Sequence, residues 1–198
     1  SSLSARRRLM SRRMITRGRV LGVTVSEHRG SGQSGGRQVA TGAALWDYAV
    51  AVYAAPGVAQ HCIELQDQQG IDVCLLLCGA WCAARGLALD DAATAALDTR
   101  CADWRREVVQ PLRRQRRLWR QLPARREDYA AIKEIELAAE RLQLQRLEAL
   151  GKRIARPARG AAPRSLLRDN LRALWRRCGA DDAQLASTCA RLEALLPG

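Results

Sequence analysis

Three cysteines, Cys74, Cys78 and Cys82, recur at a strict spacing of four in D-V-C-L-L-L-C-G-A-W-C. On an α-helix a step of four residues rotates about 400°, so successive thiols drift by only about 40° and share one face. Thiolates in that arrangement can converge on one ion, as two histidines do in an H-E-x-x-H helix. A structural zinc site takes four ligands, mostly from paired short loops. The fourth would have to come from His61, Cys62 or Cys101. Redox chemistry needs a thiol of lowered pKa, beside positive charge or at a helix N-terminus. Only Cys74, in a first turn, meets that condition. The neighbours Leu75, Leu76, Leu77, Ala80 and Trp81 make the segment apolar all round. Such a helix is buried, and a buried free cysteine behaves as a small hydrophobe. Core packing is therefore the expectation, with metal ligation and thiol reactivity as the alternatives.

His61 and Glu64 lie three residues apart, a spacing that suits a metal or an acid–base pair. Asp67 is about 120° from His61 around a helix, so the three do not share a face. A solvated face is the expected reading. His28 has no evident partner. No G-x-S-x-G, Walker loop, dinucleotide fingerprint or paired CxxC occurs. The G-S-G-Q-S-G-G run has no strand before it and no helix close after it, so it reads as linker. With two histidines and no triad-like set, a non-enzymatic protein without a cofactor is expected.

Charge is the third chemical feature. The net charge is +13, unevenly spread. Residues 1–40 carry nine Arg against Glu27, residues 41–99 carry seven acids against Arg85, and residues 100–198 carry 23 basic and 12 acidic residues. The segment after Trp104 concentrates Arg105, Arg106, Arg113, Arg114, Arg116, Arg117 and Arg120, continued by Arg125 and Arg126. Leu112, Trp119 and Leu122 can form an apolar stripe along it. Three uses compete: tracking nucleic-acid phosphates, lying on an anionic membrane surface, and facing the acidic block of residues 41–99 within the fold or in a partner copy. The last is expected. A basic patch is an electrostatic footprint without sequence readout. Trp104 and Trp119 could stack bases, but in an amphipathic helix they more often plug a core.

These residues need elements to hold them. The chain has 198 residues, no Phe, and a core that must come from Leu, Ala, Val and Ile. Leu and Ala favour helix. Helical spacing begins near Ala43 and stops at Pro56; a second helix ends at Gly70; Asp72 caps V-C-L-L-L-C-G-A-W-C-A-A-R, with Gly86 just past its end. Asp90 caps the next, which Pro111 either kinks or restarts, and Pro123 ends the arginine helix. Glu127 and Asp128 open a helix to Leu150, with Gly151 as a stop and Ile132, Ile135, Ala139, Leu142 and Leu150 as its apolar stripe. Ser165 caps a further helix ending at Gly179, and Asp181 starts the last. The expected fold is all-α, a compact bundle of about seven or eight short helices with a disordered basic N-terminal tail over 1–42. A core spans 43–151, a basic linker 152–164 and a helical hairpin 165–198. No apolar run approaches a membrane span. The start resembles a transit peptide only in its arginine content. Cytoplasmic location with reduced thiols is the expectation.

Leu45, Trp46, Asp47 and Tyr48, then Tyr53, Pro56, Gly57 and Val58, then Cys62, Leu65, Gln66, Asp67, Gly70, Asp72, Val73 and Leu76, then Trp81 form a linked pattern. Together with W-R-R-E-V-V-Q-P-L-R-R-Q-R-R at 104–117, they resemble a family of small bacterial proteins known only as a domain of unknown function. Cys74 departs from it, standing where Asn is usual. The resemblance covers about residues 44–122. It implies a small helical cytosolic bacterial protein and supplies no activity. Capping accounts for Asp72, and the turn accounts for Pro56 and Gly57. Asp47, Gln66 and Asp67 have no such account and are the candidate polar site for gripping a backbone turn or a partner. The functional expectation is a non-enzymatic helical interaction module binding a protein or ribonucleoprotein partner. Direct RNA or DNA binding through the arginine helix, and a thiol or metal enzyme at the Cys74 face, are the rivals.

Overall fold

The computed structural model describes residues 42–179 and 181–196. The expected tail over 1–42, Gly42 apart, lies outside the described residues, as does His28. The fold is all-α. Its helices are α1 (Leu45–Tyr53), α2 (Val58–Gln69), α3 (Val73–Ala84), α4 (Asp91–Trp104), α5 (Gln110–Arg120), α6 (Arg126–Ile154), α7 (Pro163–Cys178) and α8 (Asp182–Glu193). Local chemistry sets several of their ends. Asp72 accepts the N–H of Cys74, Asp90 that of Ala93 and Asp181 that of Ala183, each satisfying a donor that a helix start leaves free. Gly70 and Gly179 end α2 and α7 in the left-handed conformation, which costs glycine little.

α3 is the axis of the molecule. All of its 12 residues are buried. α1, α6 and α7 pack around it, and Cys74, Cys78 and Cys82 belong to the same core as Leu97, Leu147 and Leu171. α7 crosses α3 closely at Gly79. A Cβ added there would lie 2.7 Å from Leu174 Cδ1 and 3.3 Å from Leu171 Cδ2. Buried Asn170 ties the two helices further: it accepts the N–H of Leu89 at 2.8 Å and donates to the carbonyls of Leu87 and Gly79. Two residues on each side, β1 (Leu87–Ala88) and β2 (Arg156–Pro157), pair antiparallel, with Leu87 opposite Pro157. They join the segment after α3 to the segment after α6.

Four sequence expectations shift. First, α6 runs through Gly151 to Ile154. Gly151 is buried where α6 meets α3, and a Cβ on it would face the Cys78 and Cys82 sulfurs at 3.6 and 3.7 Å. Second, α7 starts at Pro163, and the Ser165 hydroxyl donates back to the Ala162 carbonyl. Third, the disturbance expected at Pro111 takes the form of a π-helical turn. It covers Arg105–Val109 and joins α4 to α5 with no loop between them, Pro111 falling in the first turn of α5, and such a turn absorbs the missing proline N–H at the cost of one extra residue. Fourth, His61 does not lie on a solvated face. It is 6% exposed, and its Nε2 contacts Thr188 Oγ1 at 2.8 Å while that hydroxyl donates to the Gln184 carbonyl. His61 Nε2–H is therefore the donor, and the contact docks α2 on α8.

Burial, then the Arg191 charge, holds the His61 pKa below its ordinary 6.5, against a smaller opposing pull from Glu64. A base that protonates less readily when folded lets the unfolded chain bind more protons, so stability falls as pH drops below about 6.5. Urea denaturation of wild type and His61→Gln at pH values above and below that point should show a shallower acid-side loss in the variant. Equal slopes would mean that His61 titrates alike in both states.

Candidate functional site

Two buried ionic clusters flank the start of α3. The first centres on Asp72. One carboxylate oxygen caps α3; the other accepts Arg105 Nη1 at 2.8 Å and Gln143 Nε2 at 2.6 Å. Asp72 is thus a helix cap and also a junction between the π-helical turn and α6. Arg105 reaches it from that turn and also donates to Asp98 at 2.8 Å. The second cluster joins α5 to α6. Arg113, 6% exposed, donates to Glu140 at 2.6 Å and lies 3.6 Å from Glu136. Arg116 grips the same Glu136 with its Nε and Nη2. Glu136 and Glu140 are themselves 6% and 8% exposed.

The electrostatics follow from burial. Burial pushes the Glu140 carboxyl above the ordinary carboxylate range, with Arg113 pulling it back. Its carboxylate partner keeps the Arg113 guanidinium charged in spite of desolvation. Cys74 sits against both clusters. Burial, then Asp72 and Glu140, raises its pKa well above the ordinary thiol value, and these effects outweigh Arg113. The helix N-terminus beside it is already occupied by the Asp72 carboxylate. Cys78 is raised by a hydrogen bond with Cys82 and then by burial. Burial lifts Cys62 to about 11 and Cys101 to about 12. Among the described residues no group of three or more His, Cys, Asp or Glu side chains is placed to hold a metal ion. The two cavities at the clusters are small. One, of about 20 Å³, lies between Ile71, Asp98, Leu174 and Cys178. The other, of about 10 Å³, lies between Tyr53, Cys74, Arg113 and Glu140. Each is the size of a water molecule.

The seven sequence-selected arginines divide into three groups. Arg105, Arg113 and Arg116 turn inward. Arg106 pairs with Asp103 and Glu107 at the surface, and Arg117 with Asp67 at 2.6 Å. Arg114 and Arg120 are exposed and form no ion pair with a described residue. Charge pairing within the fold therefore reaches the acidic block through Asp67, Asp72 and Asp98, while Glu136 and Glu140 of α6 take Arg113 and Arg116. Of the candidate polar site, Asp67 meets Arg117. Asp47 is exposed and Gln66 half-buried, and neither bonds to another described side chain. Trp104 plugs the fold, donating to the Ala139 carbonyl at 3.0 Å beneath Arg146.

The apolar stripes of α5 and α6 are corrections. Leu122, expected to pack, is 48% exposed, as Leu118 is at 64%; Ile135 and Leu142, assigned to the inner stripe of α6, are 55% and 45% exposed. The inner face of α6 carries Ile132, Glu136, Ala139, Glu140, Gln143, Leu144 and Leu147. Sequence reasoning missed Asp98, Glu136, Glu140 and Gln143 as site residues. The available signal was a pair of patterns: Arg113 and Arg116 three apart, Glu136 and Glu140 four apart, on helices joined by a short turn.

Fold and site together define an all-helical bundle whose central apolar helix is set by buried arginine–carboxylate pairs. The chain belongs to the family described as protein of unknown function DUF2390, whose model matches residues 44–147, more than half of its length. That stretch contains both clusters. No curated protein and no solved structure matches the chain.

Removing one member of a buried ion pair leaves the other uncompensated and costs about 3–5 kcal/mol. Asp72→Ala also loses the cap, worth about 1 kcal/mol. Thermal unfolding of Asp72→Ala should show a loss of that combined order, and Asp72→Asn, which keeps a side-chain acceptor for the cap, a smaller one. A change of a few tenths for Asp72→Ala would contradict the central place of this residue.

Proposed function

We propose that the protein is a non-enzymatic interaction module of the bacterial cytoplasm that binds a protein partner, alone or within a ribonucleoprotein. The carrying observation is the free end of the α5–α6 hairpin. Leu118, one turn on from Arg114 in α5, and Leu122, an extended residue just past the end of that helix, stand exposed, with Arg120 and Arg126 close by in the sequence. Exposed aliphatic side chains rimmed by cations suit a partner helix that offers aliphatic and acidic side chains at helical spacing. The cytoplasmic assignment is supported by the cysteines, all seven of which are free. No helix among the described residues is long and apolar enough to cross a membrane.

Direct binding to a nucleic-acid backbone is the second reading. It draws on Arg114, Arg120 and Arg126, which form no ion pair with a described residue. Against it stand the arginines already neutralised by Asp67, Asp72, Glu136 and Glu140, because each phosphate contact needs a cation of its own. A thiol enzyme at the Cys74 face has less support, since burial and neighbouring carboxylates keep that sulfur protonated.

Tagged full-length protein captured from its own cells tests the reading, beside a Leu118→Asp/Leu122→Asp variant. The expected outcome is a protein that copurifies with wild type, survives nuclease treatment and is lost from the variant, while helix content and melting temperature stay nearly unchanged. Release of all bound material by nuclease would favour the nucleic-acid reading. Capture unaffected by the variant would move the surface elsewhere.

A further inference from the structure

The outward face of α6 carries a second pattern, separate in the sequence from the hairpin end. Ala131, Ile135, Ala138 and Leu142 follow one another at steps of four, three and four, the spacing of a coiled-coil seam. All four are exposed, and Ile135 and Leu142 are two of the four large hydrophobic side chains exposed among the described residues. They face outward because the inner face is given to Glu136, Glu140 and Gln143.

Along one flank of the seam lie Glu134 and Arg141, seven residues apart and both exposed. Glu134 forms no ion pair with another described residue. The Arg141 guanidinium lies over the Trp46 ring, its Cζ 5.0 Å from the ring centroid. A guanidinium has five N–H donors, and a ring on one side leaves some of them for a carboxylate.

We propose that this face of α6 binds a second copy of the chain, antiparallel, about a two-fold axis level with Ala138. In an isologous contact, residue i meets j and j meets i. With the axis at Ala138, Ile135 of one copy comes within one residue, about 1.5 Å along the helix, of the level of Leu142 of the other. Glu134 of each copy comes equally close to the level of Arg141 of its mate, so the seam complements itself in both shape and charge. Ala138 at the crossing point, with only a methyl group, lets the helix axes approach closely. α6 has 29 residues, about 43 Å of helix, more than the seam requires. A parallel pairing would put Glu134 of the two copies on opposite flanks of the seam, and Arg141 likewise, so the Glu134–Arg141 contact would be lost.

Sedimentation equilibrium of the full-length protein over a range of concentrations tests this. Wild type should form a reversible dimer. Ile135→Lys/Leu142→Lys should be monomeric with unchanged helix content, since both side chains are exposed in the single chain. Glu134→Arg gives a chain with two arginines on the flank, and Arg141→Glu one with two glutamates. Each alone should dimerise at least about tenfold more weakly than wild type, because like charges then meet twice. Mixed together they should dimerise again, since every flank contact becomes Arg against Glu. Wild type that stays monomeric, a dimer indifferent to the Ile135/Leu142 variant, or a mixture that stays monomeric would each overturn the proposal.

Discussion

The burial of Glu136, Glu140 and Gln143 on the inner face of α6 is the constraint from which the rest of the structure follows. A helix normally turns its largest apolar side chains inward. α6 gives up Ile135 and Leu142 to do otherwise, because Arg113 and Arg116 find their carboxylates on that face, and Gln143 joins Arg105 in holding Asp72. Desolvating such groups is costly, and only close opposite charges offset it. Arginine serves better than lysine here. Its fork lets Arg105 serve Asp72 and Asp98 at once, and lets Arg113 reach both carboxylates of α6. One arrangement thereby fixes the rotation of α6, draws α5 against it, and seats the N-terminus of α3.

The same arrangement decides the chemistry of the thiols. Three cysteines on one helical face suggested an ion or a reactive sulfur, yet the charges nearest to Cys74 are predominantly carboxylates. The clusters lie wholly within the family match of 44–147. α7 and α8, beyond it, complete the burial of α3 through Leu171, Leu174 and Asn170 and dock on α2 through Thr188.

Features governed by local chemistry were legible in the sequence. Asp72 and Asp90 as caps, Gly70 and Gly179 as stops, and the burial of α3 all follow from short-range rules. The face of α6 was not legible, because Ile135 and Leu142 fit an inward stripe as well as Ile132 and Ala139 do, on lines only about 60° apart. What tips the helix is the position of arginines on α5, a tertiary fact. The π-helical turn escaped for a related reason: Pro111 signals a disturbance but not its form. Gly151 looked like a stop because composition does not distinguish a helix end from a crossing with another helix. His61 looked solvated because its partner Thr188 lies 127 residues away.

A double-mutant cycle on Arg113 and Glu140 tests most directly the claim that this buried pairing sets the structure. Stability would be measured by urea denaturation for Arg113→Met, Glu140→Leu and the combination. Each single change should cost about 3–5 kcal/mol by stranding a buried charge, whereas the double change, which removes both charges for apolar groups of similar volume, should cost much less than their sum. Additive single costs would show that the two side chains act independently, and would contradict the account.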